Sequence, residues 1–137
     1  MLFPLHLDLT GKRVLVVGAG QVGVRRARAA ASCGADVLLV APEAPLDLEL
    51  TVERRAFRPT DLDGAWLVLS CTGVVDDEVA ELCREQRIWC VRADDASVSD
   101  AWVPAVGRAD DVVLSVTSGR DPRRSVALRD QFIGSLT

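Results

Sequence analysis

The order of apolar and polar residues along the chain predicts strands that alternate with helices. Five short runs are apolar or β-favouring and end at glycine, proline or polar residues, as strands do. These runs occupy residues 13–17, 35–42, 50–57, 65–72 and 88–91. Apolar residues recur at helical spacing at residues 21–33 and 75–86, between the strands. The pattern predicts a Rossmann-like α/β fold with a parallel sheet, in which the more polar strand at 50–57 lies at an edge or is partly exposed.

The two ends of the chain depart from this alternation. Residues 1–10 contain Pro4 and His6, and they suit either a short edge strand or an extended lead-in with His6 at the surface. After residue 101 the pattern predicts two strands, 102–106 and 112–116, joined by a polar turn at 107–110. A last helix then begins with Asp121 as N-cap and Pro122 at its first position. We therefore expect a domain at residues 1–100 and a second segment at 101–137.

A glycine motif joins the first strand to the first helix. Gly18, Gly20 and Gly23 have the spacing Gly-x-Gly-x-x-Gly, and Gln21 and Val22 open the helix. In dinucleotide-binding proteins such glycines allow a tight turn, close approach of the pyrophosphate and close helix packing. The pattern predicts a cofactor site at a helix N-terminus. The alternative is a glycine-rich turn that binds nothing.

The end of the second strand bears on the choice of cofactor. Glu43 follows Pro42 and lies twenty positions after Gly23, about where an acidic side chain accepts from the ribose hydroxyls. Equally, Glu43 could only cap the next turn. Residues 41–53 contain no Arg or Lys to bind a 2′-phosphate, so the segment favours NAD over NADP.

Two further loops follow strands that should end at the same edge of the sheet. Thr72 and Gly73 follow the fourth strand, and Asp94 and Asp95 follow the fifth. Ligands of open α/β sheets bind at this edge, so Thr72 and Gly73 are candidate cofactor residues and the aspartates should lie near a nicotinamide. The alternative for the aspartates is an ordinary solvated turn.

Cationic residues surround the predicted start of the last helix. Thr117, Ser118 and Arg120 precede it, and Arg123 and Arg124 lie in its first turn. Positive charge there is unfavourable beside the positive end of the helix dipole. An anionic ligand would be stabilised both by the arginines and by the dipole. A solvated arginine cluster is the alternative.

Composition narrows the class of protein. The formal charge of −4 argues against a nucleic-acid surface, and no apolar run approaches the ~20 residues needed to cross a membrane. The four cysteines form no Cys-x-x-Cys pair, which argues against a structural zinc site. We expect reduced thiols in a cytoplasmic protein without a signal peptide.

Several stretches together resemble the precorrin-2 dehydrogenase/sirohydrochlorin ferrochelatase family, also the N-terminal module of siroheme synthases. They are the lead-in and glycine turn at 3–23, Arg-Arg-Ala-Arg at 25–28, Val-Ala-Pro-Glu at 40–43, the Asp94-to-Pro104 loop, and 117–122, which is similar to a Thr-Gly-Gly-Lys-Ser-Pro segment.

The resemblance implies NAD-dependent dehydrogenation of precorrin-2 to sirohydrochlorin, followed by insertion of Fe²⁺ as a substrate metal. It assigns both steps to Asp94, which would abstract a proton in the first and assist the metal in the second. A helix-start hydroxyl corresponds to Thr117 or Ser118, and Arg120, Arg123 and Arg124 would bind the carboxylates of the tetrapyrrole. The family further implies a homodimer.

Some positions depart from the family pattern. Ala80 and Val91 stand where the family has asparagine. Family members also continue through a helical dimerisation and substrate-binding segment, of which residues 101–137 would be the beginning, so the resemblance supports dehydrogenation more strongly than chelation. Two other functions therefore stay open: a non-catalytic module that binds or senses NAD, and a dehydrogenase for another small substrate.

Overall fold

A computed structural model describes residues 1–136, which form two compact units divided between Ala101 and Trp102. The first unit contains five parallel strands in the order β3-β2-β1-β4-β5. These strands are β1 (Arg13–Val17), β2 (Asp36–Val40), β3 (Thr51–Glu53), β4 (Leu67–Ser70) and β5 (Trp89–Arg92). Helix α1 (Gln21–Ser32) connects β1 to β2, and helix α2 (Asp76–Gln86) connects β4 to β5. The predicted Rossmann-like parallel sheet is confirmed.

The sheet has an apolar layer on each face. Val14 and Val16 of β1 pack in a cluster with Ala27 and Ala30 of α1, whereas Leu15 and its neighbours pack with residues of α2. Strand side chains alternate between faces, so one run of consecutive valines and leucines supplies both layers. The two helices are thereby held on opposite faces, and the loops at the carboxyl ends of the strands lie along one edge.

Two predicted elements of this unit differ from the structure. Residues 1–9 form no strand, so the extended lead-in is the correct alternative. The edge strand predicted over 50–57 is only three residues long, Thr51–Glu53. The chain turns immediately afterwards because the Arg55 guanidinium donates to both carboxylate oxygens of Asp61, at 2.9 and 2.6 Å.

The second unit contains an antiparallel pair, β6 (Ala105–Ala109) and β7 (Val112–Val116), and helix α3 (Pro122–Leu136). The predicted turn at 107–110 is wrong: Gly107 lies inside β6, and Asp110 and Asp111 form the turn. A side chain at Gly107 would come within 2.4 Å of Ile133 Cγ1, so its position in the strand is set by contact with α3. The predicted cap is confirmed, since Asp121 Oδ1 accepts from the Arg124 N–H at 3.0 Å.

The pairing of Arg55 with Asp61 is expected to make stability depend on pH. The Asp61 side chain is 5% exposed, and its hydrogen bonds with Arg55 lower the pKa of the carboxyl. Asp61→Asn should therefore cost about 2 kcal/mol at neutral pH. Because the folded pKa is lowered, this stabilisation is complete above about pH 4 and is lost as the pH falls through the lowered value.

Urea denaturation at neutral and acidic pH measures both effects. Glu49→Gln is the matched control, since it breaks an ion pair with Arg28 in which the carboxylate side chain is 65% exposed, and it should change stability little. A variant at Asp61 that kept the wild-type stability and pH dependence would contradict this account.

Candidate functional site

Two of the three motif glycines are required by the packing of the chain on itself. Gly18 has φ +104°, and a Cβ there would lie 2.5 Å from the carbonyl oxygen of Cys71. A Cβ on Gly23 would lie 2.1 Å from the carbonyl oxygen of Gly18. No side chain fits at either place without moving backbone, so these two glycines bring β1, β4 and α1 into close contact.

Gly20 differs from its neighbours in the motif. It precedes α1 with φ −70°, which any residue adopts, and a Cβ there would meet nothing within 4 Å. No side chain caps the helix, and its first turn contains no acidic residue. The first N–H groups and the positive end of the helix dipole therefore stay available to an anion beside an open space.

A cavity of about 530 Å³ lies at this edge of the sheet, within the size range of cofactor sites. Its walls come from the glycine turn, the ends of β2 and β4, and the chain after β3. The lining residues are Gly18, Ala19, Gly20, Val40, Ala41, Pro42, Glu43, Ala56, Phe57, Cys71, Thr72, Val74 and Val75. Gly18, Gly20, Pro42, Glu43 and Thr72 thus meet in one cavity, whereas Gln21, Val22, Gly23 and Gly73 are not among its lining residues.

Glu43 lies on the wall of this cavity and is exposed. Within residues 1–136 no hydrogen bond to its carboxylate caps the following turn, so the capping alternative gains no support. Phe57 and Ala56, which the sequence analysis missed, line the same cavity. The sequence analysis placed both residues in a strand over 50–57, whereas the strand ends at Glu53 and they follow it.

The loop after β4 is held by one buried carboxylate, that of Asp76, which is 2% exposed. The N–H groups of Thr72 and Gly73 donate to its two oxygens at 3.1 and 2.7 Å. The hydroxyls of Thr72 and Ser70 also donate to it. The sequence analysis missed Asp76 because it reads as an ordinary acidic residue in the first turn of a helix.

This bonding limits what the loop can offer to a ligand. The Thr72 hydroxyl oxygen also accepts from the N–H groups of Val74 and Val75, each at 3.0 Å. The donors of Thr72 and Gly73 are therefore engaged within the loop. Thr72 lines the cavity, and its position there is fixed by its hydrogen bonds to Asp76.

A thiol and a guanidinium lie where α1 meets β4. Burial raises the pKa of the Cys71 thiol, so the group stays protonated at neutral pH. Nη1 of Arg26 is buried there and has no hydrogen-bond partner within residues 1–136. Within residues 1–136 no disulfide joins any of the four cysteines.

Asp94 forms an ion pair with a residue of the strand that precedes it. Arg92 donates from Nε and Nη2 to the two carboxylate oxygens of Asp94, at 2.9 and 2.6 Å. Its Nη1 donates to Asp77 at the start of α2, at 2.5 Å. The hydrogen bonds from Arg92 hold the pKa of the Asp94 carboxyl below its usual value. Asp94 is thus an ionised, partly exposed carboxylate and a candidate base, and its lowered pKa makes it a weaker base than a free aspartate.

Asp95 has a different role from its neighbour. Its Oδ1 accepts from the N–H and the hydroxyl of Ser97, at 2.9 and 2.5 Å, and so caps the single helical turn Ala96–Val98. Neither aspartate is among the residues that line the 530 Å³ cavity. The two carboxylates expected together therefore divide into one structural cap and one candidate base.

The candidate residues of the second unit lie before and within the first turn of α3. Thr117, Arg120, Arg123 and Arg124 are exposed, and within the described residues none of the three arginines pairs with a carboxylate. The Ser118 hydroxyl is bonded to Asp121 O and Ser125 Oγ, at 3.1 and 2.8 Å. Of the two hydroxyls left open by the motif, Ser118 is part of the helix start and Thr117 is exposed.

Residues 1–136 contain no group of three or more His, Cys, Asp or Glu that could hold a metal ion. No helix among the same residues has the length and apolar character that crossing a membrane requires.

A family model described as putative NAD(P)-binding matches residues 5–105. The chain belongs to this family of NAD(P)-binding domains.

Two named proteins are similar to most of this chain. A precorrin-2 dehydrogenase of Bacillus subtilis is 28% identical over 140 residues, which cover 94% of this chain and 85% of that protein. Siroheme synthase 1 of Aeromonas hydrophila is 33% identical over 94% of this chain, but the match spans only 30% of that longer protein. The resemblance drawn from the sequence motifs is confirmed.

A solved structure, SirC, precorrin-2 dehydrogenase, confirms the fold. It matches with a TM-score of 0.79 at 22% identity and covers 98% of this chain and 71% of that chain.

Proposed function

We propose that the chain binds NAD and catalyses the dehydrogenation of precorrin-2 to sirohydrochlorin. Gly20 is the observation that carries the cofactor half of this proposal. The fold explains why Gly18 and Gly23 lack side chains, but a side chain on Gly20 would contact no protein atom and would occupy open space at the helix start. Open space of this kind beside the backbone is what close approach of a pyrophosphate requires.

The residues around the cavity fit a dinucleotide. The uncapped N-terminus of α1 would bind the pyrophosphate, and Glu43 at the end of β2 would accept from ribose hydroxyls. An acidic side chain there disfavours a 2′-phosphate, which supports NAD over NADP. Phe57 and Val40 would supply apolar walls. Gln21, Val22 and Gly23 contribute through the helix start, and Thr72 and Gly73 through the shape of their loop.

The reaction removes a hydride and a proton from the macrocycle. NAD, when bound, supplies the hydride acceptor. Asp94 is the group that we propose takes the proton, since its carboxylate is ionised and 41% exposed. Two lone pairs of this carboxylate accept from Arg92.

The second unit supports the substrate half of the proposal. We propose that residues 101–137 begin a segment for substrate binding and dimerisation. Arg120, Arg123 and Arg124 carry charges that no carboxylate within residues 1–136 neutralises, and they would bind the acidic side chains of a tetrapyrrole, with Thr117 or Ser118 beside them. Val113 and Phe132, 42% and 50% exposed, would be covered by a second copy of the chain.

Insertion of Fe²⁺ into sirohydrochlorin is a second activity that the siroheme synthase relatives suggest. The iron would be a substrate, and Asp94 would accept protons from the pyrroles. We place the reaction in the cytoplasm, where the four thiols would stay reduced.

The chain incubated with precorrin-2 and NAD tests the function directly. NADH formation is expected, and it is measured by the absorbance of NADH. If NAD binds, as followed by calorimetry, but no tetrapyrrole does, the chain is a dinucleotide-sensing module, and the proposal of an enzyme is wrong.

A further inference from the structure

We propose that Arg92 is a positioning residue for the reaction, which holds the Asp94 carboxylate in a fixed orientation at the end of β5. This inference rests on the proposed function of Asp94. A fork of two parallel hydrogen bonds joins the two side chains. Such a bidentate pair fixes direction as well as distance, because the planar guanidinium matches the plane of the carboxylate.

Arg92 is itself held in place, which is what a positioning residue needs. Its side chain is only 10% exposed, although the carboxylate partners are 41% and 94% exposed. Its backbone N–H donates to Ser99 Oγ at 2.7 Å, and that hydroxyl donates back to the Arg92 carbonyl at 3.2 Å. The loop that carries Asp94 is therefore closed at both ends onto Arg92.

The third contact of Arg92 connects this loop to the cavity wall. Nη1 donates to Asp77, which directly follows Asp76, the residue that holds the loop after β4. Because the Asp77 side chain is 94% exposed, this contact is expected to add little on its own. Arg92 therefore fixes the position of Asp94 relative to the edge of the cavity mainly in two ways. Its own side chain is buried, and it donates two hydrogen bonds to the carboxylate.

Three variants separate positioning from structure. Arg92→Met keeps the aliphatic stem but removes the fork, so kcat for NADH formation should fall about tenfold, because misdirected catalytic groups lose rate even when present. Arg92→Lys keeps one charged donor, so its kcat should fall less than that of Arg92→Met. Asp77→Asn is the matched control. It leaves both hydrogen bonds between Arg92 and Asp94 intact, so its kcat should stay within about threefold of the wild-type value. The KM for NAD and its affinity, followed by calorimetry, should not change in any of them.

A second readout does not depend on activity. Backbone ¹⁵N relaxation of residues 93–98 should show faster motion in Arg92→Met than in wild type or Asp77→Asn. If the wild-type chain forms no NADH, the proposed function fails, and the relaxation comparison still decides whether Arg92 orders the loop. A kcat in Arg92→Met equal to or above that of wild type, or unchanged relaxation of the loop, would overturn the inference.

Discussion

Asp94→Asn is expected to reduce NADH formation from precorrin-2 by about 10²- to 10⁴-fold, the usual contribution of a general base. The amide has nearly the same shape as the carboxylate, but it cannot take up a proton at neutral pH. NAD affinity should stay at the wild-type value, because Asp94 is not among the residues lining the cavity. Steady-state assays of NADH absorbance and calorimetric titration with NAD measure the two effects.

Asp95→Asn is the matched control in the same loop. That side chain caps the turn Ala96–Val98 through Ser97, so its replacement should lower stability slightly and leave most of the activity. Wild-type turnover by the Asp94 variant would remove Asp94 from the mechanism.

Gly20→Ala is expected to weaken NAD binding by about 10- to 100-fold while the chain folds normally. The added methyl group meets no protein atom within 4 Å, so its cost arises only when a cofactor occupies the same space. Overpacking by a methyl group costs about 1–3 kcal/mol, and each 1.4 kcal/mol is a factor of ten in affinity. Calorimetric titration with NAD measures the affinity, and thermal unfolding should show a Tm within about 5 °C of wild type.

Gly134→Ala provides the comparison, because Gly134 in α3 also has nothing within 4 Å of an added Cβ. It should keep full NAD affinity. Equal affinity of the Gly20 variant and wild type would mean that the glycine turn does not approach the cofactor, and the cavity would then need another ligand.

Most of the first unit could be predicted from the sequence, because its signals are local. Consecutive apolar residues at 13–17 and 65–72 mark buried parallel strands, and the glycine motif marks the turn between β1 and α1. The cap at Asp121 has equally short range. Each of these depends on residues that are neighbours in the chain.

What could not be predicted depends on contacts between distant residues. The place of Gly107 within β6 is set by Ile133, 26 positions later. The contact of Arg92 with Asp77 spans 15 positions, and nothing in either segment alone indicates it. Phe57 lies at the cavity because the chain turns after β3, where Arg55 meets Asp61. Side-chain pairing across the fold, rather than periodicity, determines these features.

The carboxylate of Asp76 has a thermodynamic consequence for ligand binding. It accepts from Ser70, Thr72 and Gly73, and the Thr72 hydroxyl in turn accepts from Val74 and Val75, so this segment is ordered before any ligand arrives. A preorganised wall loses little conformational entropy on association, and the free energy of contact is then not offset by freezing a mobile loop. Dinucleotide association at this wall should therefore have a small entropic penalty and proceed without a slow conformational step.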